Sequence, residues 1–590
     1  MNLRQLALLA LTGFVFSACQ NAHVEKQAVN ESAPIEDEQV VEGDDEAASK
    51  VVSHLFKVLP AKKDLPESAD HYMGIAGAST AAEAPATKSI RRRPGLTVTG
   101  HKRGMRSKES RPYRPHDREE YNHIAEADFK RVGDAPLSTF SIDVDTASYA
   151  NVRRLLNGGT LPPKDAVRIE EMINYFSYNY DGPTGDEAFA VNTELGVAPW
   201  NEKHRVVRIG LKGKTIPRGE RPSSNLVFLL DVSGSMNSRD KLPLLKSAFK
   251  VLVNQLDARD TVSIVVYAGA SGTVLEPTPG DRKSDILNAL NSLRAGGSTN
   301  GGAGINLAYK LAQENFVPGG TNRIILATDG DMNVGTTSQG SLIRLVQQKA
   351  QGGVFLSVLG FGRGNLRDST MEQIADKGNG NYAYIDGVSE ARKVLGTQMG
   401  GTLLTIAKDV KIQVEFNPAK VAGYRLIGYE NRVMANAHFN DDTKDAGELG
   451  AGHTVTALYE LVPAGLPVPA ADVDALKYQK TPTAKADPLS NELMTVKLRY
   501  KQPEGKRSRL ITRAVNMPST DKALSQDFRF ASAVAAFGML LRDSKNRGTT
   551  NYAQAIQWAT GSLGDDPSGR RMELVVLMKK ARDLANTLSR

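Results

Sequence analysis

Five oxygen-bearing side chains on three loops are the part of this sequence best suited to chemistry. Asp231 closes the apolar run at 225–230 and is followed by Ser233, Gly234 and Ser235. A carboxylate and two alternate hydroxyls, on a chain that turns at a glycine, suit an all-oxygen site for a hard divalent cation such as Mg2+. Asp, Ser and Gly also fill ordinary turns, so this stretch carries little weight alone. Two further loops add to it. One is the Gly-rich turn at 296–302, which holds Thr299, and the other begins at Asp329, after the apolar run at 323–328.

Hydrolytic chemistry is poorly supplied by comparison. Metal-activated water needs a general base, and of the nine histidines none falls between residues 222 and 400. His204, His438 and His453 belong to the flanking β segments, so Ser235 has no histidine to activate it. Asp331, two residues beyond Asp329, is placed to act as a base, but a supporting role in the loop is the expectation for it.

The elements that must position these loops follow from hydrophobic periodicity. Strands are expected at 225–230, 261–267, 272–275, 323–328, 354–359 and 381–385, the third a short edge strand. Helices are expected at 242–256, 283–293, 303–314, 342–351, 368–377 and 389–399. This alternation predicts a doubly wound, mostly parallel six-stranded sheet with helices on both faces. In the strand order 3-2-1-4-5-6, the strands ending in Asp231 and Asp329 are neighbours at the switch point, where such folds bind ligands. Thr299 then approaches from the side.

On either side the pattern turns to β. Residues 188–197 and 204–211 alternate before the α/β domain, and 410–416, 422–429, 454–461, 493–500 and 509–514 do so after it. One β-sandwich with the α/β domain inserted into it accounts for both groups. A strand is also expected at 140–146, with helices at 147–156, 165–176, 524–541, 552–559 and 572–588. The alanine-rich run at 531–537 marks a close helix–helix contact. The expected boundaries are 119–221 for an N-terminal flanking segment, 222–400 for the α/β domain, 401–520 for the sandwich and 521–590 for the C-terminal helices.

Residues 1–18 read as a secretory signal, with Arg4 before an apolar stretch at 6–16 that is too short for a stable membrane span. Cys19 is the single cysteine, so no intrachain disulfide is available. Residues 19–118 have the composition of a disordered tether, with a coil end-to-end distance of roughly 50–60 Å. Residues 51–59 are its one candidate for a short helix. The net charge of +8 is unevenly spread, acidic at 31–46 and basic at 91–114. Only Tyr113 interrupts the basic stretch as an aromatic, so no base-stacking surface is present and nucleic acid is not an expected partner.

Several of these motifs resemble known families. Phe16-Ser-Ala-Cys19 resembles the lipobox of bacterial lipoproteins, with Phe16 where leucine is usual. The resemblance implies lipidation at Cys19. Gln20, in place of the aspartate that retains such proteins at the inner membrane, implies the outer membrane, facing the periplasm. Asp231-Val-Ser-Gly-Ser235, Thr299 in its Gly-Gly-Ser-Thr-Asn turn and Thr328-Asp-Gly330 resemble the metal-ion-dependent adhesion site of a von Willebrand factor A domain. By that resemblance Ser233, Ser235 and Thr299 would ligate the metal directly or nearly so, and Asp231 and Asp329 directly or through water. Mg2+ is the implied ion, with Mn2+ or Ca2+ as alternatives. The stretches 139–149, 168–176 and 445–454 resemble the flanking segments of bacterial YfbK-type proteins. Asp143-Val-Asp145 resembles the nucleophile motif of haloacid dehalogenase phosphatases, but Ala147 stands where those enzymes have Thr or Val. The plainer expectation is a strand end whose second aspartate helps start the next helix.

The expected function is that of a non-enzymatic, envelope-anchored protein whose metal accepts an Asp or Glu side chain from a partner protein. The alternatives are a scaffold whose helical tail docks into an envelope complex and, less favoured, a metal-dependent hydrolase.

Overall fold

A computed structural model describes residues 119–330, 338–470, 491–517 and 523–588. Cys19, the expected tether and Asp331 lie outside the described residues.

Before the insert come β1 (Lys130–Arg131), β2 (Leu137–Ser141), β3 (Phe189–Ala198) and β4 (Asn201–Gly213). After it come β11 (Thr405–Phe416), β12 (Val421–Ile427), β13 (Gly447–Gly450), β14 (Thr454–Pro463), β15 (Glu492–Lys501) and β16 (Ser508–Asn516). One antiparallel sheet has the order β1-β12-β14-β4-β3, and the other β13-β11-β15-β16, with β2 also paired to β11. Alternate side chains of both sheets form one core. Val207, Ile209, Val455 and Tyr459 from the first meet Ile412, Val414, Val496 and Leu498 from the second. Phe416 stacks on Tyr424 at 4.0 Å between ring centroids.

Two N-terminal expectations need correction. The strand expected at 140–146 is shifted, because Asp143 Oδ1 accepts a hydrogen bond from Asp145 N (2.9 Å) and turns the chain out of β2. Asp145 does not cap the following helix, α1 (Ala147–Asn157), whose N-cap is Thr146. Its carboxylate accepts instead from Tyr382 N (2.7 Å) and from Arg432 (3.1 Å). The helix expected at 165–176 is broken into a 3-10 turn at Lys164–Ala166 and α2 (Ile169–Asn174). Val167 and Arg168 are extended between them, and Arg168 N donates to Ser148 Oγ (2.9 Å).

The chain leaves the sandwich after β4 and returns at β11, and the two points adjoin. Gly213 N donates to His453 O (2.9 Å), and a Cβ at Gly213 would lie 2.8 Å from Gly450 O and 2.9 Å from Ile406 Cδ1. Between them run β5 (Ser224–Asp231), β6 (Thr261–Tyr267), β7 (Ser271–Pro279), β8 (Thr321–Thr328), β9 (Phe355–Phe361) and β10 (Tyr382–Ile385). Their order is β7-β6-β5-β8-β9-β10, parallel except for the edge strand β7. This is the doubly wound order expected from the sequence.

Every residue of β5 is buried, because helices cover both faces of the sheet. Leu226, Phe228 and Leu230 pack with Leu245 and Phe249 of α3 (Leu242–Val253). On the other face, Val227 and Leu229 pack in one cluster with residues of three helices. These are α5 (Gly301–Glu314), α6 (Gln339–Ala350) and α7 (Asp368–Lys377), and α4 (Lys283–Ser292) joins α3 on the first face. The helix expected at 389–399 is instead α8 (Val388–Arg392), a π turn at Lys393–Thr397 and α9 (Met399–Leu403).

The C-terminal helices α10 (Gln526–Arg542), α11 (Tyr552–Thr560) and α12 (Arg570–Leu588) share a core with α1 and α2. Tyr149, Ile173 and Phe176 meet Phe530, Val534, Leu574 and Met578 there. The small residues of α10 permit the close approach, since a Cβ at Gly538 would lie 2.9 Å from Ile169 Cγ1.

Candidate metal centre

The buried strands β5 and β8 are parallel neighbours, so Asp231 and Asp329 emerge side by side at their carboxyl ends. Asp231 is held from three directions. Its Oδ1 accepts from Ser233 N (2.9 Å), and its Oδ2 accepts from Thr328 Oγ1 (3.1 Å) and Tyr267 OH (3.4 Å). Thr328 is fixed in turn by Gly330 N, which donates to its hydroxyl (3.1 Å). Gly330 has φ +93°, and a Cβ there would sit 2.7 Å from Arg367 N, so the turn after Asp329 requires glycine.

Ser233 and Ser235 lie on the same side of the loop, their hydroxyls 2.9 Å apart. Ser233 is buried, whereas Gly234 and Ser235 are exposed, so the cluster opens to solvent there. The Ser235 hydroxyl also bonds Asp329. Asp231, Ser233, Ser235 and Asp329 thus form one connected group.

The Gly-rich turn is drawn against this loop by its backbone. Gly234 N donates to Gly297 O (3.0 Å), and Gly296 N donates to Val232 O (2.8 Å). Thr299 lies two residues beyond Gly297, half-buried, and among the described residues its hydroxyl has no hydrogen-bond partner. The turn is therefore docked at the site, while the Thr299 side chain is not bonded to the other four.

Electrostatics separate the two aspartates. Burial, with a contribution from the Asp329 charge, pushes Asp231 up to about 6, against the opposing bonds from Ser233 and Thr328. Burial acts on Asp329 in the same direction, but Lys241, with the bonds from Ser235 and Asn365, outweighs it and holds that carboxyl below its ordinary range. Lys241 Nζ lies 2.8 Å from Asp329 Oδ2 and 3.0 Å from Asn365 Oδ1. Lys241 thus pairs with Asp329, and among the described residues Asp231 has no ion-pair partner. The donors are all oxygen and short of positive charge, and one side is open, so they fit a hard divalent cation.

Sequence reasoning missed Lys241, Tyr267 and Asn365, and it gave Thr328 no role. Thr328 stood beside Asp329 in the motif, but its service to Asp231 is a relation between strands 97 residues apart. No local pattern marks the other three.

The fold and this site define a von Willebrand factor A domain, and the family described as von Willebrand factor type A domain matches residues 225–395. Domains of this class mediate protein interactions and commonly hold a divalent metal at this place. The flanks match as well: residues 115–208 fit the family described as von Willebrand factor, and residues 401–584 that described as "Uncharacterized protein YfbK, C-terminal". The chain is 46% identical over 468 residues to "Uncharacterized protein YfbK" of Escherichia coli (strain K12), covering 78% of this chain and 80% of that one. It belongs to the YfbK family of von Willebrand factor A domain proteins.

The "Inter-alpha-trypsin inhibitor heavy chain H4" of Homo sapiens is 33% identical over 147 residues, which span 23% of this chain and 16% of that protein. Among solved structures, the "conserved hypothetical protein BatB from Bacteroides thetaiotaomicron" is 25% identical with a TM-score of 0.26, covering 30% of this chain and 97% of that one. The "von Willebrand factor type A from Catenulispora acidiphila" is 17% identical with a TM-score of 0.37, covering 68% and 98%.

Proposed function

We propose that this protein is a non-enzymatic, lipid-anchored envelope protein that binds a partner protein through a divalent metal, with Mg2+ the natural ion and Mn2+ or Ca2+ as substitutes. The observation that carries this reading is the juxtaposition of Asp231 and Asp329, two buried carboxylates of which Asp329 alone is paired with a lysine, at a loop open to solvent through Ser235. Asp231, Ser233, Ser235, Thr299 and Asp329 would hold the ion. So few anionic ligands leave a bound cation electrophilic, and a partner's Asp or Glu carboxylate is the natural group to complete its shell. Lipidation at Cys19 would place the protein on the outer membrane, facing the periplasm. The scaffold alternative loses support because α10–α12 share a buried core with α1 and α2 rather than forming a free tail, although α12 leaves Met572 and Val576 exposed.

The test is affinity capture from envelope extract with the full chain, in Mg2+ or in EDTA. Capture of a partner in Mg2+ is expected, with its loss in EDTA and in Asp231→Ala, while circular dichroism stays unchanged. Ser235→Ala, at an exposed position, serves the same purpose should Asp231→Ala fail to fold. Partner binding indifferent to EDTA and to both substitutions would sink the reading.

A further inference from the structure

Three carboxylates converge where the chain re-enters the sandwich, apart from the centre described above. Asp409 lies in an irregularity of β11, where the pairing registers with β13 and with β15 both shift and Asp409 takes φ +51°. Such bulges re-aim side chains. Asp445 stands just before β13 and Glu448 lies within it. One oxygen from each of the three lies within 4.8 Å of the others.

The neighbouring cations do not satisfy all three. Asp409 accepts from Ala446 N (3.2 Å) and Lys501 Nζ (2.7 Å), and Asp445 has Lys377 at 3.6 Å. Glu448 is only 8% exposed, yet its Oε1 is buried with no hydrogen-bond partner among the described residues. The buried Arg323, which would favour its charge, gives its two terminal nitrogens to Ser357 Oγ (2.7 Å) and Thr405 Oγ1 (3.2 Å), and its Nε has no hydrogen-bond partner among the described residues. Buried carboxylates are ordinarily hydrogen-bonded, paired or bound to metal, and Glu448 Oε1 has no hydrogen bond among the described residues.

We propose that Asp409, Asp445 and Glu448 hold a second divalent cation, of the Ca2+ class, which ties β13 to β11 beside the return from the A domain. Oxygens bound to one Ca2+ at about 2.3–2.6 Å lie no further apart than about twice that distance, and this cluster meets the condition. With neither His nor Cys in the set, zinc and copper are disfavoured. Asp409 lines an open groove of about 790 Å³ together with Thr405, Lys408 and Lys501, which gives an ion a way in. Burial, reinforced by neighbouring carboxylates, raises Asp445 to about 6 and Glu448 well above its usual range, as suits acids short of a cation.

Equilibrium dialysis of the full chain against radioactive Ca2+ tests the proposal, with melting curves in Ca2+ and in EDTA. Glu448→Gln is expected to bind one equivalent fewer than the unmodified protein and to lose part of its Ca2+-dependent rise in melting temperature. Ser233→Ala, which touches only the adhesion-type centre, is expected to retain the Glu448-dependent equivalent. Asp445→Asn, at a half-buried position, reads the same site should Glu448→Gln fail to fold. An unmodified protein that binds no Ca2+ overturns the proposal. So do variants at 445 and 448 with undiminished Ca2+ equivalents, the behaviour of a simply protonated Glu448.

Discussion

Lys241 Nζ lies 2.8 Å from Asp329 Oδ2, so the carboxylate at the end of β8 already has an internal cation beside it. Lys241 is the N-cap residue of α3, and its stem lies over Gly362, where even a Cβ would collide with it. The ammonium is therefore directed at the site by the packing of the domain. It offsets one of the two negative charges and leaves the second for a metal.

Lys241→Met should separate these two effects. Removing one partner of a buried pair strands the other, so metal-free stability should fall by about 3 kcal/mol. With no ammonium to repel it, Mg2+ should bind more tightly and restore more stability than it gives the unmodified protein. Urea unfolding in Mg2+ and in EDTA measures both, and a Mg2+ increment that shrinks would contradict the argument.

Thr328→Val tests whether the hydroxyl that donates to Asp231 Oδ2 aims that carboxylate. Groups that orient a metal ligand are typically worth about 10–100-fold in affinity. Titration calorimetry with Mn2+ should show weakening toward the lower end of that range, because Tyr267 OH and Ser233 N still hold Asp231. Unchanged affinity would make Thr328 a packing residue only.

The parts of this site legible in the sequence were those set by strand ends. β5 is buried on both faces, so its apolar run is continuous and its polar end falls on Asp231. The β-α alternation supplies the strand order and therefore the neighbour of that end. Relations made by tertiary packing left no local trace. Lys241 crosses to Asp329 over Gly362, and β13 is only four residues with a glycine at each end, too short and too flexible to read as a strand. Asp143 draws the chain out of β2 by a bond to its own backbone two residues on, which alternation alone does not reveal.

Arg153 tests the coupling between the A domain and the segments around it. From α1 it bonds Asp386 (2.5 Å), Glu390 of α8 (2.7 Å) and Tyr175 OH (2.8 Å), and it reaches Glu573 of α12 at 3.3 Å. Arg153→Met would leave Glu390, already with one oxygen lacking a hydrogen bond, with Lys393 as its remaining ion-pair partner at 3.6 Å. The loss should be about 3–5 kcal/mol, the usual cost of stranding a buried charge. Chemical denaturation measures it, and a change within about 0.5 kcal/mol, typical of surface positions, would mean that the network adds little.

Glu170 of α2 makes a pH-dependent prediction. It is 1% exposed, and its Oε2 lacks a hydrogen-bond partner among the described residues. Burial, then repulsion from Glu430, Asp143 and Glu171, pushes it from an ordinary 4.5 up to about 8. Between those values the folded protein keeps a proton that the unfolded chain has released, so this group's contribution is full below about 4.5 and is lost as pH rises through about 8. Glu170→Gln fixes the neutral form. It should lie within about 1 kcal/mol of the unmodified protein in stability near pH 5 and exceed it near pH 8.5 by on the order of 4 kcal/mol. Urea midpoints at the two pH values decide the matter: a difference between the proteins that does not grow with pH would place an ionised Glu170 in the native state.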